Sequence, residues 1–118
     1  MASYNPDNYV LVKHTDPQDK DEWFYRLIGG WGGGYLSGDS WRANSGIVKV
    51  KHHKKDGRYT VYGGSGSAYT VYGEPRMTMA VNMGWSYIEE GCKKLGLELE
   101  AVDWDDLKAA GIEWEDVE

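Results

Sequence analysis

A chain of 118 residues with a formal net charge of −6 has room for one domain and its core. Its 16 glycines follow no G-X-Y period, which excludes collagen, and 41% apolar residues suffice for a folded interior. A single cysteine, Cys92, excludes an internal disulfide and suits a reducing compartment; without a leader-like segment or long apolar run, the expectation is a cytoplasmic protein with no membrane contact.

The charge is uneven. From Glu98 onward nine acids face one lysine, so this end is eight charges negative and the preceding residues are two positive. A solvated acidic face is the ordinary reading of such a run. The aromatics are six Trp and nine Tyr against one Phe, which favours half-buried positions where an indole N–H or phenol can find a partner.

Asn8–His14, NYVLVKH, and Glu22–Ile28, EWFYRLI, read as two strands of a hairpin across the polar turn containing Pro17. Gly29-Gly30 ends or bulges the second strand. Gly46–His53 alternates Ile47, Lys49 and Lys51 against Val48 and Val50, and Asp56-Gly57 signals a tight turn. Tyr59–Gly63 and Tyr69–Gly73 are two copies of YTVYG joined by Gly64-Ser65-Gly66-Ser67, a meander rather than a repeat array.

After Glu74-Pro75 the apolar period changes to that of a helix, from about Thr78 to Leu95, stopped by Gly96. A rival parse starts a shorter helix at Tyr87, with Ser86 and Glu89 as a capping box. Gly84 and Gly91 are seven apart and share a face, as glycines would where a helix lies close on a sheet. Residues 97–101 alternate as a strand, Asp103 is an N-cap with Asp105 and Asp106 at the positive end of a short acidic helix, and Gly111 closes it. Ile112, Trp114 and Val117 alternate with acids, a pattern able to dock.

No catalytic constellation stands out. His52 and His53 are adjacent on a strand and point opposite ways, Cys92 falls on the buried helix stripe, and no metal-ligand spacing occurs. Neither phosphate-loop nor dinucleotide fingerprints are present, so no cofactor is expected, although Gly32–Gly34 and Gly64–Ser67 are backbone nests that suit an anion. Six basic residues between Arg42 and Arg58, beside tyrosines, would suit base stacking; the overall negative charge argues against nucleic acid.

The binding surface expected from composition is the glycine- and aromatic-rich stretch Trp31–Ile47, whose mixture suits a surface loop and which the chain order narrows to a loop-and-strand segment between the N-terminal hairpin and the basic meander. Its candidate contacts are Trp31, Tyr35, Asp39, Trp41, Arg42, Asn44 and Ser45, with Ser65 and Ser67 from the later loop. Asp39 and Arg42 are spaced to pair; alternatively Arg42 reaches for an anion above Trp31, Tyr35 or Trp41. A structural role, with Trp41 as a plug, fits the same residues.

Two motifs, W-x-G-G-Y-x-x-G-D-S-W-R-x-N-S-G-I at Trp31–Ile47 and Y-G-x-S-G-S-x-Y at Tyr62–Tyr69, resemble those of small proteins encoded by tailed bacteriophages, T4-like cyanobacterial phages among them. The resemblance covers about residues 23 to 73 and brings no assigned activity. It implies an accessory or host-directed viral factor.

The expected fold is therefore α+β: a small bent antiparallel sheet or SH3-like open barrel of five or six strands, one packed helix, and a short acidic terminal helix. Trp23, Tyr25, Trp41, Tyr62 and Tyr72 are the expected aromatic core. The expected function is a non-catalytic, phage-encoded protein that engages or inhibits a host protein, through Trp31–Ser45, the acidic end or both, with an anti-defence role as one form of this. The alternative is sequestration of a small nucleotide-like anion, and an enzyme ranks third. A homo-oligomer is compatible with exposed sheet edges.

Overall fold

The computed structural model describes residues 2–34 and 38–118. Among the described residues the chain forms nine strands and two helices: β1 (Ser3–Tyr4), β2 (Asn8–Asp16), β3 (Asp19–Gly34), β4 (Gly38–Ala43), β5 (Ile47–His53), β6 (Arg58–Gly63), β7 (Ala68–Tyr72), α1 (Met79–Leu95), β8 (Glu98–Val102), α2 (Trp104–Ala109) and β9 (Glu113–Val117). No helix is long and apolar enough to cross a membrane.

The class is α+β, and the strands divide into two sheets without closing a barrel. One is antiparallel in the order β4-β3-β2-β8; the other runs β1-β7-β6-β5-β9, with parallel pairing at both outer positions. Period-two alternation assigns the β2–β3 hairpin to two interiors at once. Tyr9, Leu11, Tyr25 and Leu27 face the five-stranded sheet and meet Val50, Val61, Tyr69 and Val71. Val10, Val12 and Ile28 point the other way, onto Val81, Ile88 and Cys92 of α1. Thus α1 lies outside the four-stranded sheet as a third layer, and α2 inserts Trp104 and Leu107 at the end of the space between the sheets.

The long helix is the one expected from the periodicity. Thr78 caps it, its hydroxyl accepting from the Val81 N–H at 3.4 Å, and Gly96 ends it in the left-handed region at φ 72°. Asp103 caps α2, and its carboxylate and that of Asp106 bond each other's backbone N–H in a reciprocal capping box.

Several expectations fail for identifiable reasons. Trp31–Ile47 is not mainly loop: β3 continues through Gly29 and Gly30 to Gly34, and β4 pairs back along it. The glycines do not end the strand; they make room. A Cβ at Gly30 would lie 2.9 Å from Ala80 and Val81 of α1. Of the expected core aromatics, Tyr25 is buried, Trp41 and Tyr62 are partly covered, and Trp23 and Tyr72 are exposed. In each YTVY the first tyrosine shares a face with valine, so Tyr59 and Tyr69 face inward and Tyr62 and Tyr72 cannot. A register shift between Ile47 and Lys49 likewise turns both Ile47 and Val50 inward and leaves Val48 exposed.

The acidic run is not a free tail. Residues 113–117 add to the edge of β5, where Glu113 and Glu115 lie 3.4 and 3.9 Å from Lys49, and Asp116 lies 3.6 Å from Lys54 and 3.7 Å from His52. Trp114 packs edge-on against Trp104 and Tyr59, which stack on each other at 4.0 Å. The exposed ion pairs add little stability singly, but they occupy the basic strand proposed above for nucleic acid.

The two glycines of α1 behave oppositely. A Cβ at Gly84 would lie 2.7 Å from the Trp41 indole and 2.8 Å from Ile28, whereas one at Gly91 meets nothing within 4 Å. Gly84→Ala is therefore expected to destabilise the fold by about 1–3 kcal/mol through overpacking. Gly91→Ala is expected to stabilise it by up to about 1 kcal/mol through helix propensity. Urea denaturation of the two variants reads both signs.

Candidate functional site

The residues expected to form one binding surface are distributed to opposite faces of β4. Trp41 points to α1, packing on Gly84 and lying 5.5 Å from the Tyr87 ring. Arg42, its neighbour, points to the other face, with its guanidinium 4.6 Å above the Tyr4 ring. The two cannot form one stacking platform. Trp31 sits edge-on to Tyr4 and donates its indole N–H to the Asn5 carbonyl at 3.0 Å. Tyr35 and the Asp39 side chain lie outside the described residues.

Asn44 is a buried structural residue. Its Oδ1 accepts from the Leu27 N–H at 2.9 Å, its N–H donates to the Leu27 carbonyl at 3.1 Å, and its own carbonyl accepts from Arg26 Nε at 2.8 Å. Ser45 and Ser65 join at 3.2 Å through their hydroxyls, Ser67 lies 3.5 Å from Ser65, and the Ser65 N–H donates to Ser45 Oγ. The serines thus latch the loop after β4 to the turn between β6 and β7. The expected anion nests are also engaged internally. The N–H groups of Gly64 and Gly66 bond the Gly46 and Gly63 carbonyls, and Gly32 N–H bonds the Asp7 carboxylate.

What the structure brings together instead is a cleft of about 560 Å³ between α1 and the outer face of β2–β4. Phe24, Trp41, Ala43, Ile88, Leu95 and Leu97 give it apolar walls, His14, Arg26 and Cys92 are polar or reactive members, and Tyr87 and Arg42 also border it. The volume lies within the roughly 300–1,000 Å³ typical of small-molecule sites. Strand alternation carries His14 and Arg26 to the apolar α1 face, and the helix carries Cys92 there. Cys92 Sγ lies 3.3 Å from His14 Nδ1, and the His14 ring stacks on Phe24 at 4.3 Å. This cluster was missed because its members are far apart in the chain. The signal available was two polar residues, His14 and Arg26, on stripes otherwise filled by Val10, Val12 and Ile28.

Electrostatically the pair is neutral. Burial, helped by the nearby Arg26 charge, pushes the His14 imidazole down to about 4, and burial pushes the Cys92 thiol up. Both groups are therefore neutral, sharing one hydrogen between Sγ and Nδ1, and His14 Nε2 is buried with no partner among the described residues. A thiolate–imidazolium nucleophile is disfavoured by both shifts. Arg26 is also held below its ordinary range by burial, and among the described residues no carboxylate lies within ion-pair distance of it. No group of three or more metal-ligating side chains occurs among the described residues.

The depressed His14 sets a sign for pH dependence. Below the ordinary value of 6.5 the unfolded chain takes up a proton that the folded chain refuses until about pH 4. The contribution of the neutral imidazole is complete above pH 6.5 and is lost as pH falls from there toward 4, by up to about 3 kcal/mol. His14→Phe should flatten this part of the stability profile relative to wild type, in urea titrations at pH 7, 5.5 and 4.5. Equal slopes for the two proteins would remove His14 as the cause.

Comparison of the chain with protein-family models, with curated proteins and with solved structures yields no match, so the side chains themselves carry the functional argument.

Proposed function

We propose that the chain is a non-catalytic binding protein that docks on a partner protein through one flank of α1. The observation that carries this reading is a line of apolar side chains left in water. Met79 is 74% exposed, Met83 47% and Tyr87 72%, each four residues from the next, and the line ends against Trp41. A helix covered by the sheet on one side has no packing reason for three such residues in succession on its free flank. Contiguous exposed apolar surface marks interaction sites. Methionine adapts to an irregular partner, and tyrosine supplies area with a polar end.

The resemblance to tailed-phage proteins makes the partner a host component, and inhibition of that component, as in evasion of host defence, the effect of docking. The contact surface differs from the one expected from composition. The acidic strand β9 is engaged with β5, and Arg42 with Tyr4. Of that earlier surface, Trp41 alone borders the α1 flank.

The test is retention of a host protein by immobilised wild-type chain, its identification and repurification, and titration of the purified pair. Met83→Glu combined with Tyr87→Glu should weaken binding by at least about 100-fold, the loss expected when hot-spot side chains are removed. Because both residues are exposed, the fold should change by no more than roughly 0.5 kcal/mol per site. Undiminished binding by the folded double variant would place the contact elsewhere, and failure of the wild type to hold any host protein would end the proposal.

A further inference from the structure

The geometry of the cleft points to a second, separate capacity: it binds a small organic monoanion, an apolar chain or single ring carrying one carboxylate, with the carboxylate on Arg26 and the apolar body along Trp41, Leu95 and the open space at Gly91.

Three observations converge on this ligand class. The first is a fixed cation without a counter-ion. Arg26 Nε donates to the Asn44 carbonyl at 2.8 Å, which holds the guanidinium in place, and no carboxylate among the described residues reaches it. Its terminal amino groups form the planar fork that matches a carboxylate in two parallel bonds. The second is His14, 3% exposed, which lines the same cleft and has its Nε2 buried with no partner. In the tautomer that accepts from the Cys92 thiol at Nδ1, that nitrogen is a donor, which an anionic oxygen would select. The third is the wall chemistry. Beyond this cluster the lining is mainly apolar, with Arg42 and Tyr87 at its border, and Gly91, where an added Cβ would touch nothing, leaves room that a larger residue would fill.

Arg42 also borders the cleft, but its guanidinium is turned to the other face of β4, 4.6 Å above the Tyr4 ring, so Arg26 is the cation held toward the apolar walls and a single negative charge is the match. A polyphosphate would strip water from several charges and recover only one partner, so a nucleotide fits poorly. The cleft shares Tyr87 and Trp41 with the docking flank, whereas Met79 and Met83 take no part in lining it, so a methionine variant tests the partner reading alone.

The experiment uses 4-phenylbutanoate and decanoate as probes, with 4-phenylbutanamide as the neutral match, in amide chemical-shift titrations of the whole chain. A carboxylate should shift the resonances of Arg26, Gly91 and Cys92 and bind at least ten-fold more tightly than the amide. Arg26→Met should lower its affinity at least ten-fold. Gly91→Leu should abolish binding of every probe while leaving the protein folded, because a residue with a Cβ favours the helix at that position. This second variant keeps the test decisive if loss of the Asn44 contact unfolds Arg26→Met. Equal binding of amide and carboxylate, full affinity in a folded Arg26→Met or Gly91→Leu protein, or no shift with either carboxylate would each overturn the proposal. Tyr87 borders both surfaces, so Met83→Glu alone, which leaves the cleft lining intact, keeps the two readings distinguishable: it should weaken partner binding and leave carboxylate binding unchanged.

Discussion

Two points of contact without side chains determine where α1 sits. At Gly30 on β3 and Gly84 on the helix there is no space for a methyl group, and Ala80, Val81, Ile28 and Trp41 close around them. Helix and sheet are therefore drawn together over the first half of α1. At Gly91 the same absence of a side chain has the opposite effect, because nothing stands opposite it. The helix is tight on the sheet at one end and leaves a cleft at the other. The exposed methionine flank and the polar cluster follow from this placement.

Within the cleft, the polar groups satisfy one another only in part. His14 and Cys92 share one hydrogen bond and remain neutral, and Arg26 uses one N–H to hold the backbone of Asn44. A fully apolar replacement would cost nothing in unpaired donors. That the site keeps an orphan imidazole nitrogen and, among the described residues, a guanidinium without a counter-ion is a stability penalty, and such penalties concentrate where a protein binds something. The other buried polar cluster is different in kind: the Tyr9 hydroxyl receives the Trp104 indole N–H and donates to the Gly73 carbonyl, joining both sheets and α2.

Local features were readable in the chain and long-range ones were not. Thr78, Gly96 and Asp103 mark helix ends through bonds spanning three or four residues, so composition and spacing suffice. The YTVYG strands were legible as strands, yet which tyrosine faces inward depends on the opposite sheet. The glycine-rich Trp31–Ile47 stretch resembled a loop because its glycines answer to α1, far along the chain. His14 and Cys92 meet only once β2 and α1 are packed, and the acids of β9 look like solvent-facing charge until β5 lies beside them. The site was hidden for that reason, and the serines expected to bind a partner proved to form a structural latch, Ser45 to Ser65.

The five-stranded sheet takes its first and last strands in chain order, β1 and β9, as its two borders, each paired in parallel with a strand far away in sequence. Parallel pairing over such separations closes large loops before any ladder bond forms, so assembly of this sheet belongs to the slow class of folding events. During that interval β5 presents an unpaired border. Lys49 and Lys54 lie along it and at its end, and like charges on an open border repel the same border of another molecule. The lysines that later hold β9 are, before it arrives, a guard against aggregation during synthesis and refolding.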